Sequence, residues 1–143
     1  MTPAQLTALK TAINGDANLA AARTAGDMGT IAAYYNAPGT GTIWRPAISV
    51  GELNTAIVWS EFIALTQGQR DAYFAMIQAP IDATNANVRS GFASIFSGQS
   101  LTNLTALAQR PPTRFEALFT TAQVSTAFGQ IVLVADVAAA LGS

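Results

Sequence analysis

Val88-Arg89-Ser90-Gly91-Phe92-Ala93-Ser94-Ile95-Phe96-Ser97-Gly98, followed by Leu101, Leu104 and Leu107, decides the fold class of this chain. Val88, Phe92, Ile95 and Phe96 fall at i, i+4, i+7 and i+8, one apolar stripe of a helix that Gly98 closes. The three leucines that come next repeat every three residues and define a second stripe. Two short helices in succession, each with one apolar face to bury, point to a mainly α chain whose helices pack on one another.

Upstream, Thr66 and Gln69 have capping-box spacing for a helix over residues 67–78 that carries Tyr73, Phe74, Met76 and Ile77 and stops before Pro80. Ser49 with Glu52 repeats that spacing and opens a helix carrying Leu53, Ile57 and Val58, with Trp59 to Leu65 continuing apolar on one side. Asn36-Ala37-Pro38-Gly39-Thr40-Gly41 is a loop, and Thr42-Ile43-Trp44-Arg45-Pro46 behind it is extended, because proline pushes its predecessor out of the helical region. Ahead of the loop, Thr2 caps a helix with Pro3 in its first turn and Leu6, Leu9 and Ile13 at helical spacing up to Gly15. Residues 17–24 make a second short helix ended by Gly26, and Asp27 caps a third from Met28 to Tyr35.

Downstream, Arg110-Pro111-Pro112-Thr113 breaks the chain, and Thr113 with Glu116 forms another capping-box spacing ahead of Phe115, Leu118 and Phe119. Beyond Thr120 β-branched residues dominate, so residues 123–126 and Phe128 to Val134 read as one or two strands with Gly129 as a bulge or close approach. Residues 120–134 then form either a hairpin or a strand that pairs with another subunit. A helix from about Ala135 to Leu141 ends at Gly142. The expected fold is mainly α, a compact bundle of short helices with a small β-hairpin or single strand near the C-terminus, in one helical domain over residues 1–143.

Composition limits the chemistry. Only 10% of the 143 residues are charged, giving a net charge of −1, where about 25% is usual. The absence of histidine and cysteine removes the commonest general base, thiol nucleophiles, thiolate metal sites and disulfides. Glu61, Asp71 and Asp82 are separated by whole helices, while Asp16, Asp27, Glu52 and Glu116 stand at cap positions, so no carboxylate pair for catalysis or metal binding emerges. No catalytic residue, metal ligand or cofactor is expected, and the chain is not read as an enzyme. Its basic residues lie singly along the sequence, without the stripe that neutralises phosphates, which argues against autonomous nucleic-acid binding. Neither a secretory apolar core in residues 1–30 nor an apolar run near eighteen residues is present, which gives the expectation of a soluble protein with no membrane partner, made in the cytoplasm.

Half the residues are apolar but 29 are alanine, so the core must rest on few large side chains. The surface is left to Ala, Thr, Ser, Asn, Gln and Gly, types that lie against another protein without burying ions. That pattern favours assembly; genomic bias toward alanine is the rival explanation. Trp44 and Arg45, on an extended segment behind a flexible loop, have the composition of an interface anchor, with a roof over the core as the alternative. Arg89, Arg110 and Arg114 flank helix ends near Asp82 and Glu116, positions suited to internal ion pairs or to polar contacts with a neighbouring chain. Phe128 joins these five as an interface candidate.

Gln5-Leu6-Thr7-Ala8-Leu9-Lys10, Ile31-Ala32-Ala33-Tyr34-Tyr35-Asn36, Ile43-Trp44-Arg45 and Ala56-Ile57-Val58-Trp59 form an ordered series. It continues with Asn87-Val88-Arg89-Ser90-Gly91-Phe92, Ile95-Phe96-Ser97-Gly98, Arg114-Phe115-Glu116-Ala117-Leu118-Phe119-Thr120, and Phe128-Gly129-Gln130 ahead of Asp136-Val137. In order and spacing the series resembles small structural proteins encoded among the late genes of tailed bacteriophages. The resemblance implies a virion component, assembled in the host cytoplasm. Its favoured role is a ring-forming neck or head–tail connector subunit that contacts itself, the portal and tail components. The alternatives are a tail or capsid-decoration protein of the same particle, or a non-virion protein-binding module.

Overall fold

The stretch around Phe92 folds as two helices, Ala86–Ile95 and Gly98–Ala108. The computed structural model describes residues 1–142. In chain order the elements are α1 (Pro3–Gly15), a 3-10 turn (Ala17–Leu19), α2 (Ala20–Ala25), α3 (Met28–Asn36), β1 (Ile43–Trp44), α4 (Val50–Ala56), α5 (Trp59–Ala64) and α6 (Gln67–Met76). They continue with α7 (Ala86–Ile95), α8 (Gly98–Ala108), β2 (Gln109–Arg110), α9 (Arg114–Ala117), β3 (Thr120–Thr121), β4 (Val124–Ser125) and α10 (Val134–Gly142). The fold is mainly helical, with two antiparallel two-stranded sheets, β1 with β2 and β3 with β4.

Helix starts follow local chemistry. Ser49/Glu52, Thr66/Gln69 and Thr113/Glu116 all form capping boxes with both reciprocal bonds, and Thr2 does so with Gln5. Each box satisfies two backbone N–H groups that the first helical turn leaves without partners. Asp27 caps α3 through the Thr30 N–H at 2.9 Å, and Gly26 closes α2.

The chain forms two compact units. One joins Met1–Gly41 to the segment from Pro111 onward, and the other is Thr42–Arg110. In the first, α1, α3 and α10 surround Leu9, Ile13, Leu19, Ile31, Tyr35, Phe115, Val132 and Val137. In the second, Leu53, Phe62, Tyr73, Phe92, Ile95, Phe96 and Leu104 form the core. Tyr73 is its hub: the ring meets Phe62 at 5.7 Å and Phe96 at 5.3 Å edge to face, and its hydroxyl donates to Asn54 Oδ1 at 2.8 Å. Edge-to-face geometry sets the positive rim of one ring against the negative face of the next. Burial pushes the Tyr73 phenol above its ordinary pKa.

Four sequence expectations are corrected. Ile57 and Val58 are extended rather than helical, because α4 stops at Ala56 and the Val58 N–H donates to Ser100 Oγ at 3.0 Å. Gly98 opens α8 instead of closing the preceding helix, which ends at Ile95. Its φ of +67° suits glycine, and a Cβ there would stand 2.8 Å from Glu61 Oε1. Residues 17–24 begin as a 3-10 turn, with Asp16 accepting from the Asn18 N–H.

The fourth correction concerns the C-terminal β region. The hairpin exists, but it is confined to Thr120–Ser125, and Phe128 to Leu133 is not a strand. Gly129 lies in a turn at φ +73° rather than in a bulge. Residues 131–133 still alternate, with Val132 buried and Ile131 and Leu133 exposed. In place of a neighbouring strand, the Asn36 side-chain amide pairs with the main chain of Val132, accepting from its N–H and donating to its carbonyl, both at 2.8 Å. One amide side chain thus supplies the donor and acceptor that a paired strand would offer.

Candidate functional site

In the Thr42–Arg110 unit, proline at 46 and the preceding loop hold residues 43–45 extended, and β1 pairs with β2 in the register Ile43 to Arg110 and Trp44 to Gln109. Arg45 then ties this edge to two other segments. Its N–H donates to the Ala108 carbonyl at 2.9 Å, and its own carbonyl accepts from the Ala83 N–H at 3.0 Å. Its guanidinium donates to the Leu107 carbonyl at 3.1 Å and to Glu52 Oε1 at 2.7 Å. The Arg45 guanidinium, together with the Ser49 donors, holds the Glu52 carboxyl down at about 2.

Beside Arg45, the Arg89 guanidinium lies over the Trp44 ring, 4.5 Å from its centroid. Arg89 Nη1 donates to the carbonyls of Ala83 at 2.6 Å and Thr84 at 2.9 Å. Asp82, the neighbouring acid in sequence, instead accepts from the Thr84 N–H and hydroxyl. Trp44 is half-buried against the core and, with Arg89, borders a cavity of about 60 Å³ walled by Ile48, Leu53, Ile81 and Leu104.

The sequence candidates therefore separate into groups. Trp44 and Arg89 meet at one cavity, Arg45 follows Trp44 on the same extended segment, and Arg110 pairs with Ile43 of β1. Arg114 and Phe128 belong to the other unit. There Arg114 repeats the arrangement of Arg89: its guanidinium lies 4.1 Å from the Tyr34 ring centroid, and Nη1 donates to the Tyr34 carbonyl at 3.0 Å. Such stacking on a ring face combines cation–π attraction with planar packing. The Tyr34 hydroxyl hydrogen-bonds to Asp16, which lowers the Asp16 pKa and raises that of Tyr34.

Two carboxylates take roles that spacing alone did not give. Glu61 accepts from the N–H groups of Gln99 at 2.9 Å and Ser100 at 2.8 Å, so it caps α8 from another helix, and the Ser100 hydroxyl with these two N–H groups lowers its pKa. Glu116, fully buried, accepts from its capping partner Thr113 N–H at 2.7 Å and from the Gly129 N–H at 2.5 Å. It thereby fastens the turn after the hairpin to α9.

An exposed apolar group on α5 and α6 was not among the sequence candidates. Trp59 (52%), Ile63 (70%) and Phe74 (49%) stand in solvent on α5 and α6. Trp59 and Phe74 both touch the ring of buried Phe62, at 5.3 and 5.7 Å, so they belong to one surface. In the other unit Ile131, Leu133 and Val134 are similarly exposed. The available signal was Trp59 and Ile63 at i and i+4, neighbours on the surface of α5. Among the described residues, no helix is long and apolar enough to cross a membrane. No protein-family model, curated protein or solved structure matches the chain.

Proposed function

We propose that this chain is a non-catalytic structural subunit of a tailed-phage particle, with a ring-forming neck or head–tail connector as its favoured place. The observation that carries the reading is the exposure of Trp59, Ile63 and Phe74 as one aromatic-rich surface on a chain with few charges. Large apolar surfaces of this kind mark protein contacts, and tryptophan is among the residues that dominate their energetics. A head-to-tail ring needs two different surfaces on each subunit. The exposed group Ile131, Leu133 and Val134 supplies a second one. Trp44 and Arg45, bound to their own unit, serve its stability, and the contact role passes to Trp59 and Phe74. Mass spectrometry of purified particles tests the reading: the chain is expected in stoichiometric, multiple copies, and its absence from particles would refute it.

A further inference from the structure

The cavity beside Trp44 and Arg89 combines two chemistries. Ile48, Leu53, Ile81, Phe92 and Leu104 line it and are all buried, so the interior is apolar. A void of about 60 Å³ forfeits dispersion contacts along its walls, and water is poorly held where polar partners are lacking. At its border stands a cation. Among the described residues, the bonds of Arg89 run from Nη1 to two carbonyls, and its guanidinium lies over the Trp44 ring. Asp82, the nearest acid to it in sequence, is engaged by Thr84. An arginine immobilised in this way, with no carboxylate bound to it, is preorganised to receive one.

We propose that this cavity is a binding site for a short aliphatic carboxylate, with the acid group on Arg89 and the hydrocarbon among Ile48, Leu53, Ile81 and Leu104. The size argues for a few aliphatic carbons rather than an aromatic acid, since a cavity that admits benzene measures about 150 Å³. The positive rim argues for a carboxylate rather than an amine. A free short-chain acid and the C-terminal carboxylate of a chain ending in valine present the same chemistry. The proposal is independent of the assembly reading.

Titration of the full chain with acetate, propionate, butyrate, butylamine and acetyl-valine, followed by the methyl resonances of Ile48, Leu53, Ile81 and Leu104, tests it. Saturable shifts with butyrate are expected, with affinity rising about fourfold per methylene from acetate to butyrate. Butylamine should bind far more weakly, and Arg89→Gln should cost butyrate about tenfold in affinity. Ala83→Leu, which fills the cavity, should abolish the shifts; Ala108→Val serves the same purpose if the larger side chain prevents folding. Tighter binding of acetyl-valine than of butyrate would assign the site to a chain terminus, and the reverse order to the free acid, each supporting the site. No saturable shift at about 10 mM butyrate, equal affinity for butyrate and butylamine, or binding unchanged in Arg89→Gln would overturn it.

Discussion

The same four-residue signal does different work in the two units. Ser49 with Glu52 and Thr113 with Glu116 are both complete capping boxes, and in both the second carboxylate oxygen finds another donor. For Glu52 that donor is the Arg45 guanidinium at the surface, while for the fully buried Glu116 it is the main-chain N–H of Gly129 in the turn after the hairpin. A capping box thus fixes where a helix begins and leaves open whether its glutamate becomes a surface ion pair or an internal fastener. Burial decides how much the bond is worth, because a carboxylate in the interior cannot exchange its protein donors for water.

The sharpest way to break this comparison is to truncate both glutamates. Glu116→Ala leaves the N–H groups of Thr113 and Gly129 without their acceptor, and a loss of about 3 kcal/mol is expected by denaturant unfolding. Glu52→Ala should cost clearly less, since water replaces the lost partners of an exposed group. Equal losses would refute the distinction. Asn36→Ala should cost about 2 kcal/mol by removing both bonds to Val132, with Asn36→Asp in between because it keeps the acceptor for the Val132 N–H and loses the donor. A smaller gain is expected in the hairpin, where Ala122 sits at φ 49° and Gln123 at φ 63°. Ala122→Gly should stabilise the hairpin by up to about 1 kcal/mol, because a Cβ is strained in that region.

The smallest effect is in the acid dependence. The Glu52 pKa is depressed from 4.5 to about 2, so its pairing contributes stability above the ordinary value and loses it as pH falls from 4.5 toward 2. Unfolding midpoints measured across that range should fall less steeply in Arg45→Gln than in the parent. An identical slope would place the acid sensitivity at other lowered carboxyls such as Glu61 and Asp16.

Legibility follows the range of the interaction. Capping boxes, the stops at Gly15 and Gly26 and the apolar stripe through Phe92 were readable because each is complete within a few residues, whereas the stop read at Gly98 failed. Glu61 lies 38 residues from the helix it caps, and Asn36 lies 96 residues from Val132, so nothing near either residue announces the role. The failed strand over Phe128 to Leu133 has the same origin. Its alternation is real, but alternation requires only one buried face, and here a side-chain amide stands where a strand would. At the site, the aromatic and arginine composition brought Trp44, Arg45 and Arg89 to attention. It did not reveal that Arg89 would stack on Trp44, nor that the exposed aromatic surface would belong to Trp59 and Phe74.

That surface carries the central claim, and the mass of the purified chain in solution tests it most directly. Light scattering across a concentration series should give a multiple of the single-chain mass, reduced to one chain by Trp59→Glu combined with Ile63→Glu at unchanged helix content. A single-chain mass for the parent at every concentration, or an assembly indifferent to both substitutions, would contradict it.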